Sequence, residues 1–374
     1  MKEEKRTVAL IFGGVGCERE VSIKAAPYVL GLIDENKYRI IPLLIEKNGE
    51  IFCVSFSSDG TFKKDSAPAH LYRMYGRGGV LINGDFYTVD AAFPLLHGDG
   101  GEDGTVQGLL SALSIPYVGC DGYSGPIAMD KVYTKIIAES LGIPVAKYLT
   151  GSLSRMPKKN ESNQRDAGLK ANSKAQDTKE RFISLAEELA AQAESVLDYP
   201  MIVKPSRLGS SFGISKANNR SELLESVIFA ANSGDGRVLI EETVKIALEA
   251  ELALFSIKNK TVFSEPGGII CSGIYDHNLK YESPDSVTVT ERLPLGERVA
   301  KTLRDYSERL ADFLGLRHLS RIDFFITDDN RILFNEINTM PGFTGASLYP
   351  RLINEAGICP KYAVNAFIED AIEG

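Results

Sequence analysis

A parallel, doubly wound α/β unit followed by a longer α+β region is the fold class this sequence predicts, and three observations predict it. A short apolar run, Val8-Ala9-Leu10-Ile11-Phe12, opens onto Gly13-Gly14-Val15-Gly16 and then onto helical spacing, the start of a strand-loop-helix unit. Strand and helix patterns alternate from there to about residue 119. Beyond it, strands are separated by Gly and Ser loops, and a hairpin pattern stands near the C-terminus. With 374 residues, 44% of them hydrophobic, the chain can fill cores for two or three domains.

In the first unit, further strands are predicted at 38–45 and 91–96, followed by His97-Gly98-Asp99-Gly100-Gly101-Glu102-Asp103-Gly104, a helix over 106–113 and a strand around Tyr117 and Val118. A helix over 131–141 opens the second unit, and Gly142-Ile143-Pro144 supplies its stop signal. From 152 to 179 the composition turns polar and reads as a surface insertion. Helical spacing returns over 181–196, then come a strand at 201–204, a Gly-Ser loop, a strand at 238–242 and an α+β stretch to the end. No internal repeat is evident.

Composition narrows the function. A net charge of -8 and the lack of a basic, aromatic-interleaved stretch argue against a nucleic-acid surface. No apolar run approaches the roughly 20 residues of a membrane span, and the charged start leads into a strand, not a signal-peptide core, so a cytoplasmic protein is expected. The five cysteines lack paired spacing, which predicts neither a disulfide framework nor a zinc site, and each is expected to be a small buried or half-buried filler.

The hairpin carries the most chemistry. If Asp329-Asn330 is a two-residue turn, Asp328 pairs with Arg331, Asp323 falls opposite Glu336, and Arg321 opposite Asn338. The four polar side chains of Arg321, Asp323, Glu336 and Asn338 then share one face, while Ile322, Phe324, Ile332, Phe334 and Ile337 turn to a core. Two carboxylates across a ladder repel, so positive charge must lie between them. Mg²⁺ that keeps waters and also holds substrate phosphates needs only this many protein oxygens. Lys204, at the end of an apolar strand and before Pro205-Ser206-Arg207-Leu208-Gly209-Ser210-Ser211, offers an ammonium and backbone N–H groups to phosphate, although no Walker loop is present. Lys131 could reach the same phosphates, the stretch Glu241-Glu242-Thr243-Val244 could meet an adenine through its backbone, and Glu249 could accept from ribose hydroxyls.

Taken together, Gly13-Gly14 with Glu18-Arg19-Glu20-Val21-Ser22, His97-Gly98 with Gly101-Glu102-Asp103-Gly104, Met129-Asp130-Lys131, Val203-Lys204-Pro205 with Gly209-Ser210-Ser211, Arg321-Ile322-Asp323 and the stretch from Asn335 to Thr344 resemble the D-alanine–D-alanine ligases of the ATP-grasp superfamily. The resemblance implies a three-domain ATP-grasp fold, in which a doubly wound parallel sheet is followed by two domains with largely antiparallel sheets that clamp ATP. The domains would span 1–119, 120–242 and 243–374. It implies an ATP-dependent synthesis of D-alanyl-D-alanine through a D-alanyl phosphate, for peptidoglycan precursors, by a homodimer.

The resemblance also implies roles. Glu18, Ser210, Tyr281, Arg321 and Gly342 are expected to be catalytic; Glu18 would pair with the first substrate's ammonium, Ser210 and Tyr281 would help remove the amine proton, and Arg321 with the Gly342 N–H would receive the oxyanion. His97, Glu102, Ser347 and Leu348 would form the amino-acid site. Lys131, Lys204, Ser211, Glu241, Glu242, Val244, Glu249 and Lys280 would hold ATP, and Asp323, Glu336 and Asn338 would hold two Mg²⁺, with Mn²⁺ able to substitute. Pro341-Gly342 and a loop over 272–287 are expected to order on ATP binding. Lys245-Ile246-Ala247-Leu248 looks one residue longer than the family pattern, which leaves Glu251 as a rival to Glu249 for the ribose, and His277 replaces a common tyrosine. Leu348 favours D-alanine as second substrate; a D-alanine–D-serine ligase and a non-catalytic nucleotide-binding regulator are the alternatives.

Overall fold

The computed structural model describes residues 5–57, 59–153, 169–258, 260–270 and 288–374. β1 (Arg6–Gly13), α1 (Arg19–Leu32), β2 (Tyr38–Ile45), β3 (Ile51–Phe56) and β4 (Phe62–Lys64) lead into a separate antiparallel sheet of β5 (His70–Met74), β6 (Arg77–Ile82) and β7 (Asp85–Thr88). β8 (Ala91–Leu95) then returns beside β1. The five-stranded sheet has the order β4-β3-β2-β1-β8; β1 is parallel to β2 and β8, whereas β3 and β4 add antiparallel. The parallel reading therefore holds for β2, β1 and β8 and is corrected for β3 and β4. Strands such as β5, whose residues are mostly exposed, have no apolar run to announce them. The strand expected at Tyr117 is a single bridge to Ala92.

After α2 (Thr105–Ala112), α3 (Ser124–Met129) and α4 (Lys131–Ser140), the central sheet is built from β9 (Tyr148–Ser152), β10 (Met201–Pro205), β11 (Ser215–Ala217) and β12 (Arg237–Glu242) in the order β11-β10-β12-β9, all antiparallel. α5 (Leu169–Val196) and α6 (Arg220–Ser233) belong to the same unit. α5 starts inside the stretch expected to be a surface loop, a correction for 169–179, while 154–168 lie outside the described residues. Lys, Ala and Gln are good helix formers, and their polarity is compatible with a solvated helix as well as with a loop.

The last unit holds β13 (Ile246–Ile257), β14 (Lys260–Phe263), β15 (Gly267–Ile270), β16 (Thr288–Thr290), α7 (Glu297–Leu314), β17 (His318–Thr327), β18 (Ile332–Asn338), α8 (Leu348–Glu355) and α9 (Pro360–Glu373). Its sheet is antiparallel throughout, in the order β16-β15-β13-β17-β18 with β14 also on β13. α7 buries Leu303, Ser307, Leu310, Ala311 and Leu314 at helical spacing and ends at Gly315, whose φ of 64° is the left-handed C-terminal stop.

Three packing facts position the site. Val8, Leu10 and Phe12 of the first sheet share one core with Phe255 of β13, Tyr349 of α8 and Phe367 of α9. The apolar sides of α3 and α4, through Ala128 and Ala138, join Leu310 of α7 against Phe324 and Phe334 of the last sheet. The central unit keeps a separate core, in which Phe182, Ala190, Val203, Val227 and Ile240 meet only one another's neighbours. Among the described residues no helix is long and apolar enough to cross a membrane. Cys17 and Cys359 are exposed, contrary to the expectation of buried fillers, while Cys120 is buried.

Candidate active site

The hairpin reaches the expected register by an unexpected route. The Asn330 N–H donates to the Thr327 carbonyl at 2.9 Å, the Thr327 N–H to the Arg331 carbonyl at 3.0 Å, and Asn330 has a φ of 63°. That is a three-residue loop, not the two-residue turn expected, and it is favoured by the Thr327 hydroxyl, which bonds Asp329 and accepts the Arg331 N–H. Near the loop, Ile326 faces Ile332 and Phe324 faces Phe334, one residue off the expected pairing. Asn335 is then an extra residue, a β-bulge, and beyond it Asp323 faces Glu336 and Arg321 faces Asn338 as the sequence predicts.

Cations stand where the two carboxylates required them. Arg321 donates through Nε and Nη2 to the two oxygens of Asp323 at 2.8 and 2.7 Å, and its Nε also lies 2.7 Å from Glu251. Asn338 Nδ2 donates to Asp323 at 3.1 Å, and Lys131 Nζ lies 3.1 Å from Glu336 and donates to the Leu208 carbonyl at 2.8 Å. Burial works to lower the Arg321 pKa, but Asp323 and then Glu251 outweigh it, so the guanidinium is raised well above its ordinary value. Glu251, directly across β13–β17 from Asp323, is thus engaged by Arg321, while Glu249 faces Phe325 further along. The residue by which this segment looks too long is Ala247, which falls in a register shift between Ile246 and Leu248.

Between the central and last sheets lies a cavity of about 330 Å³, lined by Lys131, Lys204 and Ser211 on one side and by Glu249, Arg321, Asp323 and Glu336 on the other. Glu241, Glu242 and Val244 line it where β12 passes into β13. The Glu241 carboxylate sits between two ammoniums, Lys135 and Lys204, each 2.5 Å away. Burial raises its pKa, yet Lys204 and Lys135 outweigh burial and hold it at about 2. Lys204 in turn is lowered by burial first, and by Lys135 and Lys131, against the pull of Glu241.

A second cluster joins this cavity to the first sheet. Glu18, before α1, accepts from the Ser210 hydroxyl, and a Cβ placed on Gly98 or Gly209 would come within 2.1 or 2.7 Å of its Oε2. Glycine at both positions leaves room for that carboxylate where it stands, and Gly98 also needs its φ of 62°. Glu102 accepts from the N–H groups of Gly98, Thr339 and Met340 at 3.0, 2.9 and 2.9 Å, tying the loop after β8 to the one after β18. Its pKa is raised by burial and then by Glu18. His97 Nδ1–H donates to the Met340 carbonyl at 2.7 Å, leaving Nε2 buried with no partner among the described residues. Ser347, just before α8, bonds Thr344 through its hydroxyl at 2.8 Å and sits beside Gly342, with Leu348 buried behind it.

The expected residues within the described chain fall in the cavity or in the adjoining cluster, except Asn338, which is linked to the cavity through its bond to Asp323. Lys280, Tyr281 and His277, with the 272–287 loop, lie outside the described residues. Sequence reasoning missed Lys135, which shares a helical face with Lys131 at a spacing of four and could have been found that way. It also missed Asn335, which lines the cavity only because of the bulge, and the Leu208 carbonyl, a backbone group no side-chain motif reports.

A nucleotide-sized cavity between two antiparallel sheets, with basic groups on one wall and carboxylates on the other, is the architecture of an ATP-grasp enzyme. The family model described as "D-ala D-ala ligase N-terminus" matches residues 7–120, and "D-ala D-ala ligase C-terminus" matches 164–369. The chain is 35% identical over 385 residues to the D-alanine–D-alanine ligase of Caldicellulosiruptor bescii, covering 99% of this chain and 96% of the relative. It is 33% identical over 393 residues to that of Ruminiclostridium cellulolyticum, again 99% and 96%. Among solved structures it resembles the VanG D-Ala:D-Ser ligase of Enterococcus faecalis, with a TM-score of 0.79, 29% identity and 98% and 100% of the two chains covered. The D-alanine-D-alanine ligase of Coxiella burnetii follows at a TM-score of 0.75, 26% identity and 99% and 94% coverage. The chain belongs to the D-alanine–D-alanine ligase family.

Proposed function

We propose that this enzyme joins two molecules of D-alanine in an ATP-dependent reaction, and the observation that carries the proposal is Asp323 facing Glu336 beside Arg321 and Asn338, with Lys131 against Glu336 and Lys204 also lining the cavity. ATP enters with its adenine toward 241–244 and its ribose toward Glu249, since Glu251 is engaged by Arg321. Lys131, Lys204, Ser211 and Lys280 meet the phosphates. Asp323, Glu336 and Asn338 form an all-oxygen donor set when the Asn338 amide presents its carbonyl, and it fits two Mg²⁺, or Mn²⁺, shared with phosphate oxygens and water. Such ions, when bound, offset the charge on the transferred phosphoryl group.

The γ-phosphoryl group passes to a carboxylate oxygen of the first D-alanine, giving a D-alanyl phosphate and ADP. Glu18 holds that substrate's ammonium, and Ser210 holds Glu18. The second D-alanine, its carboxylate at Ser347 and the N-terminus of α8 and its methyl on Leu348, attacks the acyl carbon through its amine. Arg321 and the Gly342 N–H stabilise the oxyanion, the amine proton leaves through Ser210 and Tyr281, and phosphate departs. The bare Nε2 of His97, over the Glu102-braced loop, is suited to a donor on the substrates. In the three-domain reading of 1–119, 120–242 and 243–374, the reaction lies where all three meet; a homodimer in the cytoplasm, serving peptidoglycan synthesis, belongs to the same proposal.

The test is ADP release from ATP and Mg²⁺ with D-alanine, L-alanine, or D-alanine mixed with D-serine or D-lactate, and products identified by mass. D-alanyl-D-alanine alone supports the proposal. A dominant D-alanyl-D-serine product would instead favour the reading drawn from the likeness to a D-Ala:D-Ser ligase at a TM-score of 0.79. ATP binding without turnover on any pair would overturn both.

A further inference from the structure

α4 turns its apolar side to the last sheet and its polar side, Asp130, Lys131 and Lys135, to the central unit, whose core is its own. Lys131 and Lys135 are explained by the cavity. Asp130 is not: it is fully buried, 0% exposed, and touches nothing in the cavity lining but its neighbour in the chain. A helix N-cap normally serves one or two backbone N–H groups, as Asp130 does for Val132 at 3.0 Å and Tyr133 at 3.4 Å. Its remaining donors all come from the central unit. Ser206 Oγ donates to Oδ1, while Arg207 Nε and Arg237 Nη1 donate to Oδ2 at 2.8 and 2.9 Å.

We propose that Asp130, with Arg207 and Arg237, is a latch that holds the central unit on α4 and so positions the 206–213 loop over the nucleotide. The backbone closes the same ring: the Lys131 N–H donates to the Ser206 carbonyl at 2.9 Å and the Ser206 N–H to the Arg237 carbonyl at 3.1 Å. Arg237 is steadied over the Tyr133 ring at 4.9 Å, and Arg207 is within 3.6 Å of Asp235. The loop needs such a hold, because Ser210 and Ser211 both have left-handed φ, 50° and 57°, which non-glycine residues adopt at a cost. One step further along, the same loop presents Leu208 to Lys131 and Ser210 to Glu18. Asp130 is thus a positioning residue, and its consequence for ATP rests on the function proposed above, whereas the latch itself does not.

Arg207→Gln is the primary variant, because its side chain is 43% exposed and its loss should leave the fold intact; Asp130→Asn is the second. Hydrogen exchange of peptides spanning 129–133 and 206–212, measured without nucleotide, is expected to rise in both, with the melting temperature of Arg207→Gln within about 2 °C of the parent. The KM for ATP is expected to rise roughly tenfold, the scale of a lost charge-assisted hydrogen bond. The double variant should be little worse than Asp130→Asn alone, and Arg207→Lys should recover part of the loss. Parental exchange in Arg207→Gln overturns the latch. Faster exchange with an ATP KM within twofold of the parent overturns the positioning role. A parent that binds no ATP refutes the proposed function, and the exchange result still decides the latch.

Discussion

The two sheets that enclose the cavity are attached to the protein in different ways. The last sheet shares an apolar core with the first sheet on one face and with α3, α4 and α7 on the other. The central sheet has a core to itself and meets α4 through charges: Asp130 with two guanidiniums, Lys131 with a carbonyl, Lys135 with Glu241. Apolar contact is close-packed and resists displacement, whereas a polar seam exchanges its partners for water or phosphate oxygens at modest net cost. The wall bearing carboxylates is therefore the fixed one, and the wall bearing Lys204 is the one whose hold depends on ionic contacts.

The sharpest way to break this contrast is in the shared core. Phe255→Ala, at a site 0% exposed, should cost about 3–5 kcal/mol in urea denaturation. Amides of β1 and β17 should lose exchange protection together while those of β12 keep theirs; loss in all three sheets at once would mean a single cooperative unit. Glu336→Gln acts on the fixed wall without touching its packing. Turnover should fall on the order of a hundredfold or more, with the urea midpoint nearly unchanged, and near-parental turnover would remove Glu336 from the metal site.

A third test uses His318, buried at the start of β17, where Nδ1 accepts the Gly119 N–H at 2.8 Å and Nε2 lies 3.1 Å from Asp370 of α9. Burial first, and then Arg317, push its pKa down to about 4 against the pull of Asp370. An imidazole near 6.5 in the unfolded chain takes up a proton that the folded one refuses, so stability falls as pH drops from about 6.5 to about 4. The slope from this group is at most about 1.4 kcal/mol per pH unit, and His318→Gln should flatten it; an unchanged slope would assign the acid lability to other groups. The smallest effect is expected at Asn330→Gly. Glycine suits the φ of 63°, so the unfolding free energy should change by no more than about 0.5 kcal/mol, while Asn330→Val should destabilise by about 1–2 kcal/mol.

How far the sequence could be read depended on whether a signal was local. The apolar run of β1 and the strand of Lys204 stood out because their residues are buried in continuous stretches. The pairs Asp323–Glu336 and Arg321–Asn338 were found from an assumed two-residue turn, and they stand because the longer loop and the bulge offset each other. β4, β5 and β7 are short and largely outside the core, so they offer no such stretch, whereas the apolar runs of β3 and β6 were passed over; polar 169–179 was read as loop because a polar helix and a polar loop share a composition. Glu241 was expected near adenine, but its two lysine partners come from β10 and α4, segments far apart in the chain. Glu249 and Glu251 stood as rivals in the sequence, and nothing in it foretold that Arg321 would engage Glu251.

The hairpin's loop and its bulge at Asn335 are opposite one-residue errors that cancel. The tip of the hairpin and its chemical end are consequently in different phase, like two gears joined by an idler. Shortening the tip by one residue would leave Thr327 bonded to Arg331 and Glu336 opposite Asp323, because the ladder outside the loop keeps its register. Removing Asn335 alone would also keep Glu336 opposite Asp323, because Phe334 stays opposite Phe324 and the residue after it turns to the other face. What the ribbon does not tolerate is a length change between its functional residues: loss of Ile337 would set Asn338 opposite Ile322, on the core face.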